Sequence, residues 1–404
     1  MNFSTTPLAT DIYSRFFTDT FDEREVVAVS TGFQAFFGRP EAGGRTLYSP
    51  DAAVVDIDII RANERLAALI PRGSQTRTIG DLQKDTIQTR FSNINRVYPL
   101  IEEMGNIDAN QLLGRMQGEN PFSGRSRTDR LRMHAAEHHK EHVRRTVRTF
   151  EYLSSQSILL GTMPAILGTT DANLTYDFLR AATHNFTPTL VWTNASSTPL
   201  VDLDEACRLI RVDGHAKADM VIFGEDAINA FIKHATVQAL ADNRRFELIR
   251  VSNESPVPER FRRFVDGGMI PRGRLITPKG YELWLFSYNE VYTDSTGTAT
   301  DYMPVDDVIV ASSYARCDRY FGPPEVLPNV PAKDALYQDY FGFSPGMEPM
   351  PPNVKNANAA LNPAMFYFDA YTSENYKRIS LRTQAAPIFA TTQTDAFCTL
   401  ETVV

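Results

Sequence analysis

The sequence of 404 residues predicts an α+β protein, and three features of the chain carry that prediction. The segment VDIDI, from Val55 to Ile59, alternates apolar and polar residues as a β-strand does. Residues 128–160 place apolar residues at helical spacing over a long stretch. Residues 196–325 then alternate helix-like with strand-like segments, so helices and sheets must share a core.

Composition and charge restrict the class of protein. Hydrophobic residues make up 43% of the chain and aromatic residues 11%, which is enough for the cores of about two or three domains. The formal net charge of -8 would repel nucleic acid at long range. No apolar run reaches the roughly 18 residues of a membrane span, and no secretion signal is visible, so we expect a soluble protein that is not exported. Three cysteines without C-x-x-C spacing are expected to be free thiols: Cys207, Cys317 and Cys398.

Two segments near the N-terminus predict extended structure. The first fifty residues have no sustained period and carry the aromatic pairs Phe16–Phe17 and Phe36–Phe37, which indicates an arm that needs a partner surface. Residues from Pro71 to Tyr98 are polar, with repeated arginine and glycine, and predict a long two-stranded loop that projects from a domain.

The helix over residues 128–160 is the strongest element in the sequence. Ser126 or Thr128 can cap its start and Gly161 can end it. Its apolar residues form one stripe: Ala136, Val143, Val147, Phe150 and Leu153. His134, His138 and Arg145 lie on the opposite side, so we expect these side chains to face solvent or a neighbour.

The start of this helix contains HAAEHHKEH, from His134 to His142, and its first letters match the zinc-peptidase pattern H-x-x-E-H. In that pattern His134 and His138 would bind zinc and Glu137 would polarise a water molecule. A functional site also needs a third ligand and a cleft. The competing interpretation is a polar helix face, on which Glu137 and Glu141 offset nearby arginines. We therefore predict no metal site.

The region after the helix predicts further elements. Helices are expected over residues 199–212 and over EDAINAFIKHATVQALADNRR, and strands at TPTLVWT, ADMVIFG and FELIRV. A large hairpin, YELWLF to VIVASS, is expected to turn at Ser295–Gly297, so the DSTG segment there is a turn and not a protease motif. The sequence contains no phosphate-binding loop, no dinucleotide-binding glycine motif and no nucleophile elbow. We predict no catalytic and no cofactor-binding residues.

Three stretches resemble a known family: VIFGEDAINAFIKHATVQALADNRR, the segment from LWLFSYNEVYTDSTG to YARCDRYFG, and AAPIFATTQTDAFCTLETVV. They are similar to the lambda-like major head proteins (capsid protein E) of tailed bacteriophages, which have the Hong Kong 97 fold. The resemblance implies an N-terminal arm at 1–50 and an extended loop with its base at 51–105. A peripheral domain follows at 106–195, with residues 128–160 as its spine helix. An axial domain spans 196–325, and residues 326–404 return to the peripheral domain as C-terminal strands.

The function that the resemblance implies is structural. Copies of the chain would form hexamers and pentamers that close into an icosahedral shell around double-stranded DNA, held without sequence-specific binding. The implied partners are the chain itself, scaffold and portal proteins and a decorating protein, with no cofactor and no membrane. Assembly would take place in the host cytoplasm and the product would be the virion. Two alternatives stay open, a tail or baseplate component and a zinc-dependent hydrolase that uses His134, His138 and Glu137.

Some members of this fold cross-link a loop lysine to an asparagine of a neighbour. Here Lys84 would be the loop lysine, with acceptors among Asn353, Asn356 and Asn358. Asp85 beside Lys84 favours the charged, unreactive ammonium, so we expect cohesion without covalent links.

Overall fold

The computed structural model describes residues 29–49, 54–60, 91–113, 126–165, 175–242, 246–248, 257–294, 297–323, 366–372 and 378–403. Helices and sheets alternate through these ranges, which confirms the α+β class. Within them, none of the helices is both long enough and apolar enough to cross a membrane.

Helix α1, Arg127–Leu159, is the longest described element and confirms the helix expected at 128–160. The Ser126 side chain accepts a hydrogen bond of 3.1 Å from the Asp129 amide and so caps the first turn. Gly161 follows the helix at a positive φ of 71°, a conformation that glycine adopts at little cost. The apolar stripe is buried at Val143, Val147, Phe150 and Leu153, whereas Ala136 is half-buried.

Phe150 anchors the C-terminal half of α1 in the core. Its side chain is 1% exposed. Its ring centroid lies 5.6 Å from that of Phe389, 5.7 Å from that of Phe366 and 5.9 Å from that of Phe321. Aromatic side chains that are distant in sequence therefore converge on one helical residue and bury a large apolar area.

The largest sheet has seven strands. In spatial order they are β7 (Asn185–Phe186), β19 (Phe397–Glu401), β14 (Asp307–Ala311), β8 (Met220–Phe223), β11 (Glu282–Ser287), β10 (Ile270–Ile276) and β9 (Phe246–Leu248). The pairs β8–β11 and β7–β19 are parallel, and the other neighbours are antiparallel.

The central strands of this sheet are apolar at nearly every position because both faces are covered. On one face, Val221 and Leu285 pack in a core with helix α2, Pro199–Val212. On the other face, Ile222 and Phe286 belong to the core that contains the buried stripe of α1.

Three shorter helices follow α2 among the described residues: α3 (Glu225–Lys233), α4 (Ala235–Asp242) and α5 (Glu259–Asp266). One continuous helix was expected where α3 and α4 lie, and that prediction is wrong because His234 is extended, with ψ of 132°. The two ring nitrogens of His234 lie 3.1 Å from the Ser197 hydroxyl and 2.7 Å from the Thr236 hydroxyl. These side-chain contacts fix the break between the helices.

The prediction that β11 and β14 pair directly as a large hairpin is also wrong. Strands β11 and β14 lie in the same sheet, but β8 is inserted between them. The tip alone has hairpin geometry, with β12 (Val291–Thr293) antiparallel to β13 (Ala299–Asp301). The Gly297 amide donates to the Asp294 carbonyl at 3.1 Å, as expected for a turn between these residues, and Ser295 and Thr296 lie outside the described residues.

Four smaller sheets complete the described fold. The first contains β1 (Thr46–Tyr48), β15 (Asp318–Phe321) and β18 (Pro387–Ala390), and the second contains β16 (Tyr367–Thr372), β17 (Arg378–Ala385) and β4 (Ile101–Asp108). Two pairs are β2 (Val54–Ile60) with β3 (Phe91–Val97), and β5 (Thr162–Pro164) with β6 (Thr175–Asp177). The β2–β3 pair confirms the VDIDI strand and lies at the two ends of the loop that the sequence predicts. Residues 61–90 of that loop lie outside the described residues.

The segment TPTLVWT forms no strand, because its tryptophan packs in a core and not along a sheet. Trp192 is 1% exposed, its ring lies 5.5 Å from that of Phe231, and its indole nitrogen donates to Asp202 at 2.9 Å. These contacts hold the segment against α2 and α3 and replace the pairing of a strand.

The aromatic residues assigned to the N-terminal arm lie in the core of their own chain. Phe33, Phe36 and Phe37 are 0%, 1% and 2% exposed. Phe36 contacts Phe264 of α5 and Phe37 contacts Phe389 of β18. The expectation that this part of the arm needs a partner surface is therefore wrong, and Phe16–Phe17 lies outside the described residues.

Candidate functional site

The histidine-rich segment lies on the N-terminal half of α1, where the helix packs against β4 and β17. His139 and His142 are buried, at 7% and 3% exposure. His142 Nδ1 lies 3.2 Å from the Thr383 hydroxyl of β17. His138 is half-buried. The expectation that His138 faces solvent or a neighbour is wrong, because β4 of the same chain covers that side of the helix.

Gly105 of β4 makes this close packing possible. A Cβ atom at this position would lie 2.8 Å from His142 Nε2 and 2.9 Å from His138 Nδ1. A larger residue would therefore push both rings away from the sheet. Glycine at this strand position allows the backbone of β4 to approach the imidazole edges closely.

Burial keeps these imidazoles neutral. Desolvation lowers the pKa of His139 to about 3 and that of His142 to about 4. The pKa of His138 is also lowered, first by burial and then by the charge of His134. The histidines therefore act as neutral packing groups between the helix and the sheet.

The zinc-like triplet His134, His138 and Glu137 does not form a joint site. Glu137 is exposed, whereas His138 is directed towards Gly105. In the part of the chain that the structure describes, no group of three or more His, Cys, Asp or Glu side chains is placed to hold a metal ion.

A polar site missed by the sequence analysis lies on the other half of α1. Glu151 is completely buried, and its Oε1 accepts hydrogen bonds from the Phe33 amide at 2.7 Å and the Tyr288 hydroxyl at 2.8 Å. Its Oε2 accepts from the Gln34 amide at 3.1 Å. The Gln34 side-chain amide donates in turn to the Val147 carbonyl at 3.1 Å. One carboxyl group therefore joins the N-terminal segment to α1 and to the end of β11.

The environment of Glu151 changes its acidity. Desolvation raises the pKa of Glu151 from its ordinary value of 4.5 to about 7, and the hydrogen bonds from Phe33, Tyr288 and Gln34 oppose the rise. The hydroxyl of Tyr288 has a raised pKa through burial and through Glu151, so it acts as a donor. The signal in the sequence was positional, because Glu151 is four residues after Val147 and so lies at the edge of the apolar stripe.

The loop base, defined here as β2, β3 and the flanking residues Leu47 and Leu100, exposes apolar side chains. The exposed fraction is 42% for Val54, 58% for Val97, 37% for Leu100 and 40% for Leu47. Val54 and Val97 are direct partners in the β2–β3 register. The exposed pair of Val54 and Val97 is typical of a surface that another molecule covers.

Two tyrosines attach this loop base to the rest of the subunit. The Tyr176 hydroxyl donates to the Val97 carbonyl at 2.6 Å, and the Tyr98 hydroxyl lies 3.2 Å from that of Ser49. The Tyr98 ring also packs over Gly322, where a Cβ atom would lie 2.3 Å from the ring. These hydrogen bonds and this ring contact therefore fix the β2–β3 pair, with its exposed valines, to the rest of the subunit. The candidate cross-linking residues, Lys84 with Asn353, Asn356 and Asn358, lie outside the described residues.

Comparison with known proteins gives a family and a fold. Residues 49–402 match the family model described as phage major capsid protein E. A solved structure of a putative prophage capsid protein from E. coli CFT073 has a TM-score of 0.59 at 15% identity, covering 98% of this chain and 99% of that one. A phage-related protein from Bordetella bronchiseptica RB50 has a TM-score of 0.43 at 10% identity, covering 98% of each chain. Among curated proteins, none matches this chain.

Proposed function

Because this chain belongs to the phage major capsid protein E family, we propose that it assembles as hexamers and pentamers into an icosahedral shell around double-stranded DNA. The observation that carries the proposal is the family match, which includes the whole described fold from β2 to β19. The exposed loop base supports it, because a subunit that builds a shell needs surfaces for its neighbours.

We assign the regions of the chain as follows within this proposal. Helix α1 is the spine of a peripheral domain at 106–195, and the axial domain spans 196–325. The extended loop and its base occupy 51–105, and residues 326–404 return to the peripheral domain. The pairing of β19 with β14 joins the two assigned domains, because a strand from residues 326–404 lies in the large sheet beside a strand from residues 196–325. The arm is reduced to residues 1–28, which lie outside the described residues.

The loop base is the assembly surface that we propose in most detail. Val54, Val97, Leu100 and Leu47 would pack against a neighbouring copy, so that water leaves their apolar surface. Each contact is modest, but a closed shell repeats it at every subunit and therefore gains stability by multivalency.

Other partners and the location follow from the same role. Membership of a capsid protein family places the chain in the virion. We propose assembly in the host cytoplasm with scaffold and portal proteins, and with a decorating protein on the finished shell. The role is structural and involves no catalysis or cofactor. Packaged DNA would be held without sequence-specific contacts, as the net charge of -8 favours.

The substitution Val97→Asp tests the assembly surface. Val97 is 58% exposed, so an aspartate at this position should leave the isolated subunit folded. Burying its carboxylate in an interface would cost free energy, because the charge would lose its water. We expect at least about a tenfold fall in the fraction of chain that sediments as particles, because the cost of the buried charge is repeated at every contact of the shell. The matched control Val97→Thr keeps the shape and should assemble normally. Normal particle yield from Val97→Asp would show that the loop base is not an interface.

A further inference from the structure

A cavity of about 260 Å³ opens where helix α2 ends and β11 begins. Its polar lining comes from Arg211, His215, Lys217 and Tyr281, and its floor includes the buried Cys207. The three basic side chains are exposed, and Tyr281 is half-buried. One concave surface therefore combines a guanidinium, an imidazole and an ammonium group with one aromatic ring.

In the described parts of the chain, neither Arg211 nor Lys217 forms an ion pair. The charge of Lys217 reaches the buried Asp219 at longer range, where it is one of the influences that oppose the rise in the pKa of that carboxyl group. The nearby Asp213 directs its Oδ2 to His184 Nε2 at 3.3 Å. Arg208, one turn earlier on α2, behaves differently, because it donates two hydrogen bonds to Glu205 at 2.6 Å and 2.9 Å. Arg208 is therefore paired with a carboxylate of its own helix, whereas the Arg211 guanidinium can bind another anion.

Two carbonyls at the end of α2 are capped by backbone amides and not by these cations. The Leu209 carbonyl accepts from the Asp213 amide at 2.9 Å, and the Ile210 carbonyl accepts from the Ala216 amide at 3.3 Å. A cation near a helix C-terminus would otherwise be explained by the helix dipole and the free carbonyls. Backbone amides satisfy these two carbonyls, so the charge of Arg211 is not required by either of them and remains for another group.

The backbone also holds the basic groups in place. His215 has a positive φ of 45°, an uncommon conformation for a residue with a side chain. It follows Gly214, where a Cβ atom would lie 2.3 Å from the Asp395 carbonyl oxygen. The Arg211 guanidinium carbon lies 5.9 Å from the centre of the Tyr281 ring. The turn at Gly214 and His215 and the ring of Tyr281 therefore restrict the positions of the side chains that line the cavity.

We propose that this cavity binds a phosphate group, as found on a free nucleotide or in the backbone of DNA. A guanidinium fork and an ammonium group bind phosphate oxygens by charge-assisted hydrogen bonds. The Tyr281 ring offers an apolar surface beside them for a sugar or a base. The DNA source rests on the proposed function, since DNA is the content of the shell, whereas the phosphate chemistry rests on the cavity alone.

The test compares two variants on the unassembled chain. Binding of inorganic phosphate, of ATP and of a labelled duplex of about 20 base pairs is measured over a range of salt concentrations. For Arg211→Ala with Lys217→Ala, we expect affinity for the bound probe to fall at least about tenfold. If the probe is the duplex, the slope of log affinity against log salt should fall by about 1.8, for two lost phosphate contacts. The control Arg208→Ala should stay within about twofold of the unsubstituted chain.

Each outcome has a defined meaning. Loss of ATP binding alone supports the site with a free nucleotide as its source, and loss of duplex binding supports it with DNA. Equal binding by the double variant and the unsubstituted chain would overturn the proposal, as would an unsubstituted chain that binds none of the probes. An unchanged thermal midpoint shows that the double variant is folded. Electron microscopy of its particles tests the shell separately, so failure of this inference and failure of the shell are distinguishable.

Discussion

The two halves of helix α1 bury polar side chains in different ways. The N-terminal half packs histidines against the sheet of β4 and β17, where His139 and His142 are buried and His138 is half-buried. The C-terminal half enters the main core, where Glu151 is enclosed completely and three donors from distant segments satisfy its carboxyl group. The first half is therefore a neutral packing surface, and the second half joins several parts of the chain.

This difference shows what each half contributes to stability. Histidines that pack in their neutral form contribute contacts to one neighbouring sheet, so a substitution there disturbs a local set of contacts. Phe150 and Glu151 instead connect α1 to elements far apart in sequence, so their loss affects several contacts at once. We expect changes at the C-terminal half to cost more than changes at the N-terminal half.

Deletion of residues 1–45 should have the largest effect. It removes Phe33, Phe36 and Phe37 from the core and takes two amide donors from Glu151. Three lost aromatic side chains correspond to about 10 kcal/mol, which is comparable to the whole stability of a domain. We expect an insoluble or unfolded chain. Deletion of residues 1–28 leaves these contacts intact and should fold, as measured by circular dichroism and thermal unfolding. Equal folding of both truncated chains would contradict the central role of this segment.

The substitution Phe150→Ala compares the two halves directly. It should lower the free energy of unfolding by about 3 to 5 kcal/mol, because it leaves a cavity among Phe321, Phe366 and Phe389. The substitution His138→Ala should cost about 1 kcal/mol, since this ring is half-buried against Gly105. Chemical denaturation of both variants gives the comparison. Equal losses would mean that the two halves are packed to the same extent.

The pH dependence of stability should have opposite signs in the two halves. The fold raises the pKa of Glu151 to about 7, so its stabilising contribution is full below pH 4.5 and is lost as the pH rises to 7. The fold lowers the pKa of His142 to about 4, so its contribution is full above pH 6.5 and is lost as the pH falls towards 4.

Two variants separate these opposing contributions between pH 7 and pH 5. We expect Glu151→Gln to make the loss of stability on acidification steeper and His142→Gln to make it shallower, each by on the order of 1 kcal/mol. Denaturation midpoints across this range measure both slopes. A change of slope in the same direction for both variants would show that one of the two buried groups is assigned wrongly.

Local patterns were enough to predict several elements. The period of α1, its Ser126 cap and its Gly161 end lie within one stretch of chain, so the sequence predicts the helix correctly. The same holds for α2 and for the turn between Asp294 and Gly297. These features depend on neighbours in sequence, which a single sequence displays directly.

The errors arose where a distant segment decides the structure. Strand β8 enters between β11 and β14, and no period within either strand reports that insertion. His234 ends a helix through Ser197, a residue far away in the chain. Glu151 and its donors meet only because the N-terminal segment folds back onto α1. Position on the helix could have shown that Glu151 is buried, but its partners follow only from the tertiary fold.

Cryo-electron microscopy of the full chain, expressed alone and then with a candidate scaffold protein, tests the account most directly. We expect closed particles built of hexamers and pentamers, with Val97 and Leu100 of each subunit covered by a neighbouring copy and Glu151 enclosed within its own subunit. Monomers, open tubes or stacked rings under both conditions would contradict the proposed shell.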